Sequence, residues 1–381
     1  MAEWEPIFVL PNIPLQSAIG SDIVALAPAH DRRINALKRA HPNFRHFLNR
    51  FTDNFGQKFE PAVLILNAAA PMMFREVSAL ASFRDLIAVC TVTRGRAREL
   101  RNPHGHRILF GEAFSIYPWM LDRHYEYLIG STPAILGTHE VSSFEGQSSP
   151  ALFRTFLGDG DIDQPMLTAL MERWRRRYEN AEPGWEDVAL MRSLNMAYQA
   201  SLLPAGTDAT FYDVGRVVSL WVSAFEILVH PGGSGRTNRD KVFEMIERTH
   251  WAIPTSAQLT YDTGGKAKVK RTLASWLYQV LYDCRNDFLH GNPVERSNLV
   301  LSIPQRDILA YAAPLYRIAL TTFLTLYYAA PMTSADDPET LGAYIADRMD
   351  FLEPQKQAEE ALLTATRLPA EPGSRRPKGT R

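Results

Sequence analysis

Long segments with helical periodicity dominate the chain after residue 160, and this feature restricts the fold most. Apolar side chains recur there at spacings of three and four residues, which is typical of helices that bury one face. A polar, turn-rich bridge at 158–165 precedes them, and its Asp163 and Pro165 suit the start of a helix. The pattern predicts helices at roughly 165–180, 185–203, 208–230, 238–250, 267–290, 304–330 and 338–367.

The first half of the chain mixes shorter segments of both kinds. Short apolar runs between prolines predict strands at 8–10 and 23–26. The compact run Ala62-Val63-Leu64-Ile65-Leu66 is typical of a buried strand. Helical spacing predicts helices at 31–51 and 74–90.

These patterns together predict an α+β protein in which a mixed N-terminal α/β domain of unknown role precedes a helical C-terminal part. The last residues hold three prolines and four cationic side chains, a composition that predicts disorder. The predicted divisions are the mixed domain at 1–160, the helical domain at 161–332, a C-terminal helix at 333–368 and a disordered tail at 369–381.

Composition and charge exclude several classes of protein. Of the 381 residues, 46% are apolar and 22% charged, as in a soluble globular chain large enough for two domains. The formal net charge is -1, so affinity for nucleic acid has to come from a local patch. Two cysteines, Cys90 and Cys284, exclude a disulfide scaffold and fit a reducing cytosol. Without a secretory signal or a run of about 18 apolar residues, we expect a cytoplasmic protein that does not enter a membrane.

The segment predicted to be helical at 267–290 ends in Arg285-Asn286-Asp287-Phe288-Leu289-His290, followed at once by Gly291-Asn292-Pro293. Asn286 and His290 are four residues apart, so the amide can hydrogen-bond the imidazole and set its tautomer. Arg285 and His290 are five apart, roughly 140° around an ideal helix. They converge on one phosphate only if the helix end distorts or a second subunit contributes its own copy.

These residue types suit the cleavage of RNA without a metal ion. RNA carries its own nucleophile, the 2′-hydroxyl, so an enzyme has to remove that proton, stabilise the phosphorane and protonate the leaving 5′-oxygen. A histidine can act as base or acid near neutral pH, and arginine offers a charged fork to two phosphate oxygens. The alternative is an ordinary helix end, where His290 interacts with the helix dipole and Arg285 faces solvent.

The stretch Leu281-Tyr282-Asp283-Cys284-Arg285-Asn286-Asp287-Phe288-Leu289-His290-Gly291 resembles the signature of HEPN domains, above all the Apea-like HEPN subgroup. Upstream, Trp221 and the run Ala224-Phe225-Glu226-Ile227-Leu228 are similar to a helix of that subgroup. The resemblance covers about 205–330. It implies a helical bundle, commonly dimeric, and metal-independent endoribonuclease activity in toxin–antitoxin, phage-defence or RNA-processing systems. Other members bind nucleotides or nucleic acid without catalysis.

The resemblance also implies roles for individual residues. Arg285 would hold the phosphate, Asn286 would orient the histidine, and His290 would transfer the proton. Glu226 matches the acidic position on the upstream helix. Two roles stay open for Glu226, as the buried partner of a helix-end arginine or as part of the catalytic group.

Further cations lie where the segment that carries the motif is expected to begin: Lys266, Lys268, Lys270 and Arg271. They favour a surface that binds the RNA backbone, although a solvated helix start gives the same pattern. We expect an RNA substrate, a homodimer, and an antitoxin or trigger ligand as partners, with no metal and no cofactor. The alternative hypothesis is a HEPN-like module that binds a nucleotide or RNA, or serves dimerisation, without catalysis.

Overall fold

The described part of the chain contains both helices and sheets, as the α+β prediction requires. The chain forms two compact units, the first made of residues 1–92 and 107–209 and the second of 93–106 and 210–381. The predicted tail at 369–381 lies outside the described residues. None of the described helices is long and apolar enough to span a bilayer. The computed structural model describes residues 3–53, 55–102, 110–111, 113–132, 136–148, 157–202, 210–263, 269–326 and 338–366.

Described strands of the first unit form three small sheets. One is antiparallel with the order β1-β5-β3-β2, a second joins β6, β7 and β8, and β4 pairs with β9 in parallel. The central strand β5 buries all five side chains from Ala62 to Leu66, which confirms the buried strand predicted from the compact apolar run. The strands are β1 (Trp4–Leu10), β2 (Ile19–Gly20), β3 (Val24–Ala27), β4 (Phe51–Thr52), β5 (Ala62–Asn67), β6 (Trp119–Leu121), β7 (Tyr127–Ser131), β8 (Leu136–Glu140) and β9 (Gln147–Ser148).

The helix predicted at 31–51 is in fact two helices. His41 is extended, with φ -126° and ψ 95°, because a residue before a proline disfavours the helical region. The aromatic rings of Phe44 and Phe47 are buried against the sheet, so the second of these helices is fixed by packing. The helices up to residue 201 are α1 (Arg32–Ala40), α2 (Pro42–Leu48), α3 (Val77–Arg101), α4 (Gln164–Glu179) and α5 (Trp185–Ser201).

The division into units differs from the boundary predicted at 160/161. Helices α4 and α5 belong to the first unit, and α3 contributes residues 77–92 to the first unit and 93–101 to the second. The helical pattern after residue 160 located α4 and α5 correctly, but periodicity alone does not show which core a helix packs against.

The second unit is mainly helical, but it also holds two short hairpins, β10–β11 and β12–β13, so it is not the all-helical domain that was predicted. Hairpins were missed because short strands of polar residues give no clear alternation of apolar and polar positions. Its further elements are α6 (Phe211–Leu228), α7 (Arg239–Glu247), α8 (Pro254–Gln258), β10 (Thr260–Thr263), β11 (Val269–Thr272), α9 (Leu273–Leu289), β12 (Val300–Leu301), β13 (Arg306–Asp307), α10 (Leu309–Phe323) and α11 (Pro338–Leu363).

Helix α9 is the centre of the second unit. It packs against α6, α7 and α10, and its Leu277, Tyr278 and Leu281 are fully buried. Helix α11 packs on α10 and α9, so the helix predicted as a separate element at 333–368 is part of the same bundle. The buried Glu359 carboxylate of α11 accepts hydrogen bonds from the backbone N–H groups of Ala252 and Ile253, each at 2.7 Å.

Candidate functional site

Helix α9 begins later than its periodicity predicts, because the residues before it pair as a hairpin. Thr260 pairs with Thr272 and Thr263 with Val269 in the β10–β11 ladder. Thr272 then caps the helix, and its hydroxyl oxygen accepts a hydrogen bond from the Ser275 N–H at 3.4 Å. The predicted helix start at 267 is therefore wrong.

The C-terminus of α9 ends at the predicted stop signal. His290 is the capping residue, and its backbone N–H donates to the Asn286 carbonyl oxygen at 2.9 Å. Gly291 follows with φ +70°, and the Asn292 N–H donates to the Asp287 carbonyl oxygen at 3.0 Å. That bond and the left-handed glycine define a Schellman motif. Helical hydrogen bonding thus continues to His290, and the distortion that could bring Arg285 and His290 to one face does not occur before it.

A glycine on α6 fixes the position of this helix end. A Cβ atom built on Gly215 would lie 2.8 Å from the ring of Phe288, so α6 and α9 approach too closely there for any side chain. The ring of Phe211 lies 5.7 Å from that of Phe288, centroid to centroid. Sequence reasoning missed both Gly215 and Phe211, although a glycine within an apolar helical segment could have indicated a close helix contact.

Arg285 lies in the groove between α6 and α9, where it meets Glu226. The distance from its Nη1 to Glu226 Oε1 is 3.5 Å, and the two side chains are 24% and 17% exposed. The guanidinium carbon also lies 5.7 Å from the ring centroid of Tyr282, and the buried Nε has no hydrogen-bond partner among the described residues. Two roles were left open for Glu226, and this pairing favours the first, in which Glu226 is the buried partner of Arg285 and not part of the catalytic group.

Burial controls the ionisation of the groups around Arg285. It raises the pKa of the Glu226 carboxyl, although the Arg285 guanidinium acts in the opposite direction. It also raises the pKa of Tyr278 well above its usual value, and the negative charge of Glu226 adds to that rise. The Tyr278 hydroxyl is buried and lacks a hydrogen-bond partner in the described part of the chain. Tyr278 therefore stays neutral at physiological pH and adds no negative charge to the site.

A second arginine, which sequence reasoning did not assign to the site, contacts the same tyrosine ring. The guanidinium carbon of Arg239, the first residue of α7, is 5.7 Å from the ring centroid of Tyr282, the same distance as that of Arg285. Its Nε is 3.9 Å from Asp240, a long ion pair. Two guanidinium groups thus contact one tyrosine ring, and each has a carboxylate nearby, Glu226 for Arg285 and Asp240 for Arg239. Arg239 was visible only as one cation in a basic stretch.

His290 and Asn286 lie close to Arg285 in sequence, but no hydrogen bond or ion pair among the described residues joins the three side chains. His290 is exposed and Asn286 is half-buried. The bond expected from the Asn286 amide to the His290 imidazole is not present, and their backbone bond takes its place. Within one chain, Arg285 thus points into the α6–α9 groove while His290 stands on the exposed helix end.

The predicted basic cluster is only partly described. Lys266 and Lys268 lie outside the described residues, and Lys270 is exposed on β11. Arg271 is held by other contacts: its Nη1 is 3.0 Å from Glu247 Oε1, and its guanidinium carbon is 4.0 Å from the ring centroid of Phe243. Since α9 has 17 residues, Lys270 and Arg271 lie about 25 Å along the helix axis from its C-terminal end. The Arg271 guanidinium nevertheless shares partners with Arg239, because its Nη2 lies 4.0 Å from Asp240 Oδ1 and both guanidinium groups lie over the Phe243 ring.

In the described part of the chain, no three His, Cys, Asp or Glu side chains are grouped so that they could hold a metal ion. Comparison with known proteins yields no protein-family model, no curated protein and no solved structure that matches this chain.

Proposed function

We propose that the protein is a metal-independent endoribonuclease of HEPN type. The observation that carries the proposal is Arg285, which is held by Glu226 and by the Tyr282 ring one turn or so before the exposed His290 at the end of α9. Guanidinium groups bind phosphate oxygens through two parallel hydrogen bonds, and an exposed imidazole is free to exchange protons with a substrate. In the resemblance to HEPN domains, Arg285 and His290 occupy the two defining positions.

The proposed reaction uses the 2′-hydroxyl of RNA as nucleophile. His290 removes the proton as the 2′-oxygen attacks phosphorus, and Arg285 stabilises the negative charge that develops on the phosphoryl oxygens. The bond from phosphorus to the 5′-oxygen then breaks, and the leaving oxygen takes a proton from an imidazolium. The products are a 2′,3′-cyclic phosphate and a 5′-hydroxyl. The proposed reaction involves only this phosphoryl transfer and two proton transfers, so it needs no oxidant and no metal ion.

A homodimer would bring the two side chains together. Arg285 and His290 face different sides of one helix end, so an arginine from one copy and a histidine from the other meet more readily than two from the same copy. Tyr212 is 82% exposed and Leu289 is 59% exposed. Both lie at the end of the bundle where Gly215 contacts Phe288, so an apolar surface flanks the motif. This surface suits contact with a second copy.

The test is cleavage of labelled single-stranded RNA by the full-length protein in EDTA. We expect 2′,3′-cyclic phosphate ends from the natural protein. Arg285→Ala and His290→Ala should each lower the cleavage rate by about 100-fold or more, because general acid–base and charge stabilisation contribute that much. Matched controls are Arg248→Ala and His124→Ala, which remove exposed side chains of the same types elsewhere and should leave the rate unchanged.

Two results would contradict the proposal. One is cleavage that survives both substitutions, which would indicate a contaminating nuclease or a different site. The other is the lack of cleavage of any RNA together with stabilisation by nucleotides that Arg285→Ala abolishes, which would support the alternative, a HEPN-like module that binds without catalysis. The resemblance to HEPN domains adds a biological setting to the proposal. It implies a role in a toxin or phage-defence system, with an antitoxin or a trigger ligand as partner.

A further inference from the structure

The first unit contains a cavity of about 460 Å³ that the proposed ribonuclease site does not use. Helix α2 and the residues just after it form most of its wall, and Lys58 and Ser142 complete it. Its polar side chains include three cations, Arg45, Arg50 and Lys58, together with His46, Asn43 and Asn49. A concave surface of this size falls within the range of small-ligand sites.

Among the described residues, the three cations have no carboxylate within ion-pair distance, and the carboxylate of Glu140 instead accepts a hydrogen bond from the wall residue Ser142 at 3.3 Å. Arg45, Arg50 and Lys58 are exposed, and none has an ion pair or side-chain hydrogen bond with another described residue. Two neighbouring cations of the same unit are paired: Lys38 Nζ lies 2.6 Å from Glu60 Oε1, and Arg33 Nε lies 3.0 Å from Asp31 Oδ1. Like charges that share one concavity repel one another until an anion enters, and the cavity walls concentrate their field.

The wall that carries these cations is held in place by the core. Phe44 and Phe47, on the other face of α2, are fully buried, and the ring of Phe47 lies 5.3 Å from that of Phe51. Arg45 and Asn49 are four residues apart, so they lie on one side of the helix end. His46 Nε2 is 3.2 Å from the Phe144 carbonyl oxygen, which ties α2 to the segment that follows β8. The cavity is therefore formed before any ligand binds.

We propose that this cavity binds the phosphate chain of a small phosphorylated ligand, such as a nucleoside triphosphate or an inorganic oligophosphate. Guanidinium and ammonium groups with neighbouring amides are the donors that phosphate oxygens need. No Phe, Tyr or Trp ring is among the described residues of the wall, so the cavity offers no platform on which bases could stack. The three cations line a single cavity, whereas binding of a nucleic-acid backbone requires a row of contacts along its length. The arrangement therefore favours a small ligand over a nucleic acid.

The test is calorimetric titration of the full-length protein with tripolyphosphate, with ATP and with adenosine. We expect saturable binding of the first two at one site per chain and no binding of adenosine. Arg45→Ala, Arg50→Ala and Lys58→Ala should each weaken binding about tenfold or more, because each removes a charge-assisted hydrogen bond. Arg45→Lys, which keeps the charge, should lose less. Arg32→Ala is the matched control, an exposed cation of the same unit outside the cavity wall.

The two phosphate ligands also identify the source of the phosphate. Tighter binding of ATP than of tripolyphosphate would indicate a nucleotide, and equal binding would indicate an inorganic chain; both results support the cavity. The proposal is overturned if neither ligand binds, or if binding survives the Arg45→Ala, Arg50→Ala double variant in protein with an unchanged circular dichroism spectrum. It is also overturned if Arg285→Ala abolishes binding, or if single-stranded RNA alone binds through these cations. Cleavage activity is not a readout, so failure here is separate from failure of the ribonuclease proposal.

Discussion

At the residue scale, one carboxylate sets the state of Arg285. Glu226 lies 3.5 Å from the guanidinium, but burial still raises the pKa of its carboxyl, so the ion pair does not fully offset the loss of solvent. Glu226 therefore holds the Arg285 side chain in position through one long contact and does not form a short, two-point ion pair with it. Arg285 can exchange its carboxylate contact for a phosphate more readily than an arginine in a tight, two-point salt bridge can.

Glu226→Gln should leave the free energy of unfolding nearly unchanged at pH 7, within about 1 kcal/mol, and should shift its pH dependence. The folded protein binds the Glu226 proton more tightly than the unfolded chain does. The carboxyl therefore contributes most stability below its ordinary pKa and loses that contribution as the pH rises through the raised value. The variant should therefore gain stability relative to the natural protein as the pH rises from about 4 through the raised pKa of Glu226. Urea unfolding at several pH values measures this difference.

The same variant separates the two roles of Glu226 in catalysis. If Glu226 only positions Arg285, Glu226→Gln should keep RNA cleavage within about tenfold of the natural rate, because glutamine retains the shape and a hydrogen-bond acceptor. A loss of about 100-fold or more would show that the carboxylate transfers a proton. The pH profile distinguishes these results further, since a proton-transfer role would remove one limb of the profile.

At the element scale, the position of His290 depends on how closely α9 approaches α6. Gly215 allows the ring of Phe288 to lie directly on the α6 backbone, and the Schellman motif at Gly291 then turns the chain away. The last turn of α9, with its exposed imidazole, is therefore fixed by a packing contact on one side and by backbone hydrogen bonds on the other.

Gly215→Ala should destabilise the protein by about 1–3 kcal/mol, because the added methyl group overlaps the Phe288 ring. The sign of the change in the free energy of unfolding tests the contact, because Gly→Ala in a helix interior without such a contact stabilises a protein by up to about 1 kcal/mol. RNA cleavage should fall as well, because the helix end that carries His290 has to shift. Denaturant unfolding and the cleavage assay measure the two effects.

Phe288→Ala provides the control for this contact. In the Gly215→Ala, Phe288→Ala double variant the clash is absent, so the two changes should cost less together than the sum of the single changes. Additive costs, or a Gly215→Ala protein more stable than the natural one, would contradict the close approach of α6 and α9.

At the scale of the whole molecule, the proposed activity requires two copies of the chain. Arg285 pairs with Glu226 on α6, whereas His290 is exposed at the regular end of α9, so we propose that two copies of the chain supply the two side chains to one phosphate. A two-fold dimer would form two such sites, each with an arginine from one copy and a histidine from the other.

Mixing Arg285→Ala protein with His290→Ala protein should therefore restore cleavage. After exchange of subunits, half of the dimers contain one copy of each variant, and one of the two sites in such a dimer has both natural side chains. The mixture should reach about a quarter of the natural rate, whereas each variant alone stays inactive. If the site lay within one chain, no mixture would recover activity. An affinity tag on one variant, with recovery of the untagged variant in the purified fraction after mixing, confirms the exchange.

Local patterns predicted the individual elements of the fold better than their grouping. The helices at 185–201 and 211–228 lie within a few residues of their predicted positions, as does the buried strand at 62–67, because periodicity and chain breakers act over short stretches. The division of the single helix at Pro42 could have been read from the proline itself. The assignment of α4 and α5 to the first unit could not, since it depends on contacts between residues far apart in sequence.

For the candidate site, the sequence by itself determined the end of α9, because the Gly291-Asn292-Pro293 stop is a property of backbone conformation that needs no distant contact. Only the tertiary structure decided that Glu226 pairs with Arg285, that Arg239 contacts the Tyr282 ring, and that Phe288 packs on Gly215. Those pairings join different helices, and side chains that meet across a core are selected by packing and by the loss of solvent, which no spacing along one segment records.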